Sequence, residues 1–375
     1  MNKLDSIAYV CGSRDFHAMD SYRSARSSIN QENIYLITDL IEGEGFKKLI
    51  NEEDKIEYLI IIDKLLLKTQ SKIGHIWRNL IKLVLFPLQL YKLKVTSKRL
   101  GNCIYYAHSM YYILLCSMAN LDYIAIPQGS EILIRPFKSK LYRYFSRNAL
   151  IRAKLIIIDS KKMQSTIKNL YKIDSLIVQN GIDTKTILSR TKDYKYENES
   201  LVSFRGIEEL YRIKEIFIAR NNSERYGYIP IKLAYPFKSE DYYMQVNNLL
   251  TNSDEDLGRL DRNQLYRLFS CNLLSISIPK SDSSPKSVYE SIFCGCIVAA
   301  TEEEYLKDLP QCMRERVIIV NLEDHLWLEK AIKSAKILRK KKFTPSVYSL
   351  ENYDQYKSFI LIHNRAKKIL GYSSY

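Results

Sequence analysis

The chain is poor in residues that interrupt regular structure. Glycine occurs 12 times and proline 9 times in 375 residues, which excludes collagen-like, Pro-rich and flexible-linker architectures. The seven cysteines are scattered, odd in number and include no C-x-x-C pair, so they fit reduced thiols in a cytosol and not a disulfide framework. Cys294 and Cys296 flank Gly295, but no second pair with ligand spacing follows, and they read as buried apolar residues. No run reaches the roughly 18 apolar residues of a spanning helix. The start MNKLDSIAYVCG has an acid at Asp5 and no long apolar core, unlike a signal peptide. A cytoplasmic chain is expected, soluble or peripheral at the inner face of the membrane.

Acidic residues are missing from one region. None lies between Asp63 and Asp122, and the segment Lys64–Ile158 holds 16 Lys/Arg against two acids, a net +14 of the chain's +15. A Lys-rich coding bias would spread the excess evenly. Its concentration in one quarter of the chain marks a region suited to an anionic partner.

Strands and helices alternate along the sequence. Short, continuous apolar runs, the pattern of strands buried on both faces of a parallel sheet, fall at Ser6–Cys11, Ile34–Thr38, Tyr58–Asp63, Cys103–His108, Tyr123–Pro127, Leu155–Asp159 and Ser175–Val178. A second set follows at Leu201–Phe204, Ile229–Tyr235, Leu273–Ile278, Ile297–Ala300 and Val317–Val320. Two doubly wound α/β domains are expected, residues 1–183 and 201–350, joined by a polar linker over 184–200. A terminal helix in 351–375 is expected to pack back on the first domain. The triplet Asp254-Glu255-Asp256 reads as solvated charge before a helix and not as a metal site.

The segment LLSISIPKSDSSPKSVYESIFCGCIVAAT, residues 273–301, is the most informative. A buried strand ends at Pro279, a polar loop follows, and a helix begins near Pro285. Ser284 suits the N-cap, Pro285 the first helical position, and Gly295 the helix end. A helix N-terminus at the carboxyl end of a sheet offers N–H groups and a positive dipole end to an anion. Two carboxylates, Asp282 and Glu290, flank it eight residues apart.

This D-x7-E pattern resembles the E-x7-E signature of retaining glycosyltransferases of the family-4 type, which have the GT-B fold of two facing Rossmann-like domains. The resemblance implies that Glu290 holds the ribose hydroxyls of a nucleotide-sugar and that Asp282 lies near the transferred sugar. It also sets Ser284, Lys286 and Ser287, at the helix start, on the donor. Further segments agree in order. Asn180-Gly181-Ile182-Asp183 is similar to the family's N-G-[IV]-D where the first domain closes. VSFRGIEELYRIKEI places Arg205 after a strand, as the family places its diphosphate-binding arginine. The family's lysine five residues on is replaced by Leu210, leaving Lys214 or Lys286 to complete the clamp. IPQGSEILIRP resembles the G-S-[DE] segment, with Gly129, Ser130 and Glu131 in those places and Gln128 where many relatives carry histidine. His108, ending the strand CIYYAH, is a catalytic candidate, and His17, after the first strand, an acceptor-side one with Gln128, Gly129 and Ser130. The resemblance implies no metal and no cofactor beyond the nucleotide-sugar.

Within the basic region, IGHIWRNLIKLVLFPLQLYKLK mixes Trp77, Leu80, Leu83, Val84 and Phe86 with Arg78, Lys82, Lys92 and Lys94. Apolar residues at helical spacing with basic neighbours and an interfacial Trp describe a helix on an anionic membrane surface. Pro87 is expected to bend or end it. The expected function is sugar transfer from a nucleotide-sugar to a glycan acceptor, lipid-linked if the membrane reading holds. The rival readings are a non-catalytic basic adaptor for membrane or nucleic acid and a degenerate transferase that binds nucleotide without turnover. No DNA-binding signature is present, so a nucleic acid partner is not expected.

Overall fold

A computed structural model describes residues 6–12, 16–29, 33–40, 50–62, 65 and 72–372. The chain divides into two compact units, Met1–Asn180 with Gln355–Tyr375, and Gly181–Asp354. The first unit holds seven parallel strands: β1 (Ser6–Val10), β2 (Ile34–Thr38), β3 (Lys55–Tyr58), β4 (Cys103–His108), β5 (Tyr123–Ile126), β6 (Leu155–Ile158) and β7 (Leu176–Ile177). Their order is β3-β2-β1-β4-β5-β6-β7. Successive residues of β4 feed opposite cores: Tyr105 and Ala107 join the helices Lys72–Leu100, Met110–Met118 and Lys140–Arg152, whereas Ile104 and Tyr106 join Phe16–Ser28 and Gln355–Leu370. Burial on both faces explains why these strands are apolar throughout.

The terminal helix is therefore part of the first unit. Phe359 and Ile362 are buried in it, and His363 Nδ1 lies 2.9 Å from the Tyr106 hydroxyl. Burial, aided by the charge of Lys367, pushes the His363 imidazole down to about 4, which keeps it neutral.

The second unit holds six parallel strands: β8 (Asn198–Ser203), β9 (Ile231–Ala234), β10 (Glu255–Gly258), β11 (Asn272–Ser277), β12 (Ile297–Thr301) and β13 (Val317–Val320). They are ordered β10-β9-β8-β11-β12-β13. Both sheets reverse their winding direction, between β1 and β4 and between β8 and β11. Such a switch point leaves a crevice beyond the strands' carboxyl ends.

Four sequence expectations are corrected. The strand expected at Tyr58–Asp63 lies earlier, at Lys55–Tyr58, because an edge strand tolerates Lys55 and Glu57. The apolar run after it packs beyond the strand, with Leu59 N–H donating to Thr38 O and Ile62 N–H to Asp39 O; Asp63 lies outside the described residues. The segment 184–200 is not an irregular linker, since Asp183 caps a helix Thr184–Thr191 by accepting from Thr186 N–H at 3.0 Å. Thr184 also donates to Asp354 at 2.6 Å, and β8 begins at Asn198. The acidic triplet is not solvated as a whole. Glu255 and Asp256 start edge strand β10, while the Asp254 side chain is fully buried against Arg220. Pro87 does not end the helix Lys72–Leu100, which continues through it, because it sits on the exposed side, where the hydrogen bond it removes is cheap.

Candidate active site

At the switch point of the second sheet, β8 and β11 are neighbours, so residues distant in sequence emerge side by side. Arg205 follows β8. Gly206 lets the loop turn here, since a Cβ would overlap the Phe237 ring, and the loop is tied down by Ile207 N–H on Phe237 O at 3.0 Å. Asp282 sits in the loop after β11. Its Oδ2 lies 2.5 Å from Arg205 Nη2, and its Oδ1 accepts from Ser283 N–H at 2.9 Å. Arg205 Nη1 donates to Ser287 Oγ at 3.2 Å, and the guanidinium lies 4.8 Å from the Tyr211 ring centroid. Burial opposes the charge of Arg205, but Asp282 and the hydroxyls of Tyr211 and Tyr305 hold it up, so it stays cationic.

The helix Lys286–Phe293 starts one residue later than expected. Pro285, with ψ 101°, is the N-cap, and its carbonyl accepts from Tyr289 N–H at 3.3 Å. Ser284 is buried, with its Oγ 3.2 Å from the Tyr289 hydroxyl. Gly295 closes the helix at φ +81°, with its N–H on Ile292 O at 2.8 Å and Cys296 N–H on Ser291 O at 3.0 Å. Lys286, Ser287 and Glu290 share one helix face by their spacing. Glu290 accepts from the Tyr266 hydroxyl at 3.3 Å, and burial together with this carboxylate pushes the Tyr266 pKa up.

Of the two lysines expected to complete the clamp, Lys286 is the first residue of the helix that carries Ser287. Lys214 Nζ donates to Gln245 at 3.2 Å. Lys280, which the sequence reading passed over, is the one beside position 210: its N–H donates to Leu210 O at 2.7 Å and its ammonium lies 2.5 Å from Glu209. Its place two residues before Asp282, in the loop after β11, was the available signal.

In the first unit, His108 is buried at the end of β4 with its ring stacked on Tyr9 at 5.6 Å, so it does not line an open surface. Gln128 caps the helix Gly129–Leu133 in a capping box with Glu131. Glu131 Oε2 accepts from Gln128 N–H at 3.0 Å and from Met110 N–H at 2.8 Å, joining the loops after β4 and β5. Ser130 and His17 are exposed near the carboxyl edge of that sheet, beyond β5 and β1. Among the described residues, no group of three or more His, Cys, Asp or Glu side chains is arranged to hold a metal ion.

Two Rossmann-like units, each a parallel sheet that reverses its winding direction, make up the GT-B fold. Several solved structures are similar to this one over almost the whole chain. Sucrose-phosphate synthase from Thermosynechococcus elongatus aligns at 10% identity, over 98% of this chain and 99% of that chain, with a TM-score of 0.71. A UDP-forming α,α-trehalose-phosphate synthase from Burkholderia xenovorans aligns at 9% identity, over 98% and 99%, with a TM-score of 0.71. Anabaena HepE, solved in complex with UDP, aligns at 14% identity, over 97% and 100%, with a TM-score of 0.68. No family profile and no curated protein sequence matches the chain.

Proposed function

We propose that the protein transfers a sugar, with retention of configuration, from a nucleotide-sugar to a glycan acceptor such as a lipid-linked polysaccharide precursor. The observation that carries this reading is the convergence of Arg205, Asp282, Ser287 and the start of the helix Lys286–Phe293 at one switch point. Arg205 takes the diphosphate as a bidentate donor, assisted by the helix N-terminus and by Lys280 in place of the lysine that Leu210 replaces. Glu290, half a helix further in, accepts from the ribose hydroxyls. Asp282 exchanges Arg205 for hydroxyls of the transferred sugar when the phosphates arrive. Ser284 keeps the loop in place through Tyr289. Buried His108 takes no catalytic part in this scheme, and His17, Gln128, Gly129 and Ser130 serve the acceptor side.

Catalysis in this reading rests on positioning and on stabilising the leaving diphosphate. Because HepE was solved with UDP, UDP is the first probe. Thermal unfolding of the full chain tests the reading: at about 1,000 times its Kd, a nucleoside diphosphate adds about 4 kcal/mol to stability. The melting temperature is expected to rise with UDP and not with uridine. In Glu290→Ala the rise is expected to vanish while the unliganded melting temperature holds. An equal rise in both proteins would remove Glu290 from the donor site.

A further inference from the structure

The helix Lys72–Leu100 carries two apolar stripes. One, through Ile81, Leu93 and Leu100 with the polar Gln89 and Thr96 between them, is buried against the rest of the first unit. The other, Ile76, Leu80, Val84, Leu88, Tyr91 and Val95, recurs at the same helical spacing and is exposed, with Ile76 70% and Val84 68% accessible. A helix of a water-facing protein needs only the first stripe. Trp77 borders the exposed stripe, its indole N–H held by Leu65 O at 2.8 Å, so the part left accessible is hydrocarbon.

A second element on the same side of the sheet, which the sequence did not disclose, is also apolar on its outside. The helices Arg135–Lys138 and Lys140–Arg152 expose Phe137, Leu141, Tyr144, Phe145 and Ile151, with Leu141 67% accessible. Both helical stretches pack their inner sides into one core with Met110–Met118, so both exposed stripes lie on the outside of a single helical layer. Lys92, Lys94 and Lys98 accompany the exposed stripe of the helix Lys72–Leu100, and Lys138, Lys140 and Arg147 the exposed side of residues 135–152, all of them exposed. Among the described residues no helix is long and apolar enough to cross a membrane.

We infer that this layer is a two-part bed for an anionic lipid bilayer, with each stripe inserting aliphatic and aromatic side chains at the headgroup level and the lysines meeting lipid phosphates. Charge complementarity identifies the occupant. A second copy of a region with net +14 would be repelled, and a nucleic acid would leave the exposed aliphatic side chains Ile76, Leu80, Val84, Leu88 and Val95 without an apolar partner. An anionic membrane satisfies both the hydrocarbon and the charge. The inference concerns the first unit alone and does not depend on the donor site.

Co-sedimentation of the full chain with phosphatidylcholine vesicles, with and without 30% phosphatidylglycerol, tests it. Binding is expected only to the anionic vesicles and is expected to fall with salt, by about fivefold for each basic residue replaced by Gln among Lys92, Lys94, Lys138 and Lys140. Val84→Ser/Leu88→Ser and Leu141→Ser/Tyr144→Ser should each weaken binding at least tenfold at unchanged melting temperature, because these side chains are exposed. Arg205→Ala should bind vesicles like the parent, which separates this test from the donor reading. The inference is overturned by equal or absent binding to both vesicle types. It is also overturned if the Leu141/Tyr144 variant binds normally, or if the exposed stripes instead drive self-association or RNA binding in protein that ignores vesicles.

Discussion

Arg205→Ala is expected to lower kcat/KM for the donor about 100- to 1,000-fold, the range seen when one preorganised donor to a developing anion is removed. The side chain can make two parallel hydrogen bonds to phosphate oxygens. It is already aimed, being fixed by Asp282 at 2.5 Å, in the loop after β11, and by Ser287 at 3.2 Å, in the helix that follows that loop. Arg205→Lys should recover little, because an ammonium is a point donor and cannot reproduce the planar fork. Stability should also fall, by about 3 kcal/mol, because the largely buried Asp282 carboxylate is left with its bond to Ser283 N–H but without its counter-charge. Steady-state kinetics with a turnover donor, alongside urea unfolding, separates the two effects. A variant with normal kcat/KM would remove Arg205 from the diphosphate site.

The largest loss of stability is expected at Asp254. Its side chain and that of Arg220 are both fully buried, joined by a bidentate pair with Arg220 Nη1 2.7 Å from Asp254 Oδ1. Arg220 also donates to Ile229 O at 2.8 Å, while the carboxylate accepts from Ile231 N–H and Thr251 N–H, each at 2.7 Å. The pair thus ties β9, the turn before β10 and the helix Ile213–Asn221 together. Burial works against the carboxylate's charge, but Arg220 and these backbone donors outweigh it and hold the Asp254 pKa below its ordinary value. Asp254→Ala leaves a buried guanidinium without its counter-charge, and breaking such a pair costs about 3–5 kcal/mol. That is a large share of the 5–15 kcal/mol typical of a folded domain. The double replacement Arg220→Met/Asp254→Leu should lose less than the single one, since no charge is left stranded. Urea unfolding of both variants reads the difference.

Much of this architecture was legible in the sequence because buried parallel strands write themselves as apolar runs. CIYYAH and LIII became β4 and β6 for that reason. Edge strands write differently. KIEY and EDLG keep charged side chains outside, so β3 was displaced onto the apolar run after it and β10 was read as solvated charge. Site residues on one local segment, from Asp282 to Glu290, were visible through their spacing. Contacts made by topology were not. The Arg205–Asp282 pair spans 77 residues and the Lys280–Glu209 pair 71, and only the adjacency of β8 and β11 brings either together. The Arg220–Asp254 pair was hidden for the same reason, since nothing local distinguishes Asp254 from its exposed neighbours Glu255 and Asp256. The one-residue shift at Pro285 reflects its ψ of 101°, a backbone choice that the Ser-Pro pair permits equally with the expected one.

Sugar transfer with retention is read most directly by following donor breakdown by proton NMR, with the full chain and a panel of α-linked UDP-, GDP- and ADP-sugars. Water serves as the default acceptor. One of these donors is expected to release its nucleoside diphosphate, with the α-anomer of the free sugar appearing before mutarotation and with Arg205→Ala inactive. Nucleotide binding without release of any sugar, or first appearance of the β-anomer, would contradict it.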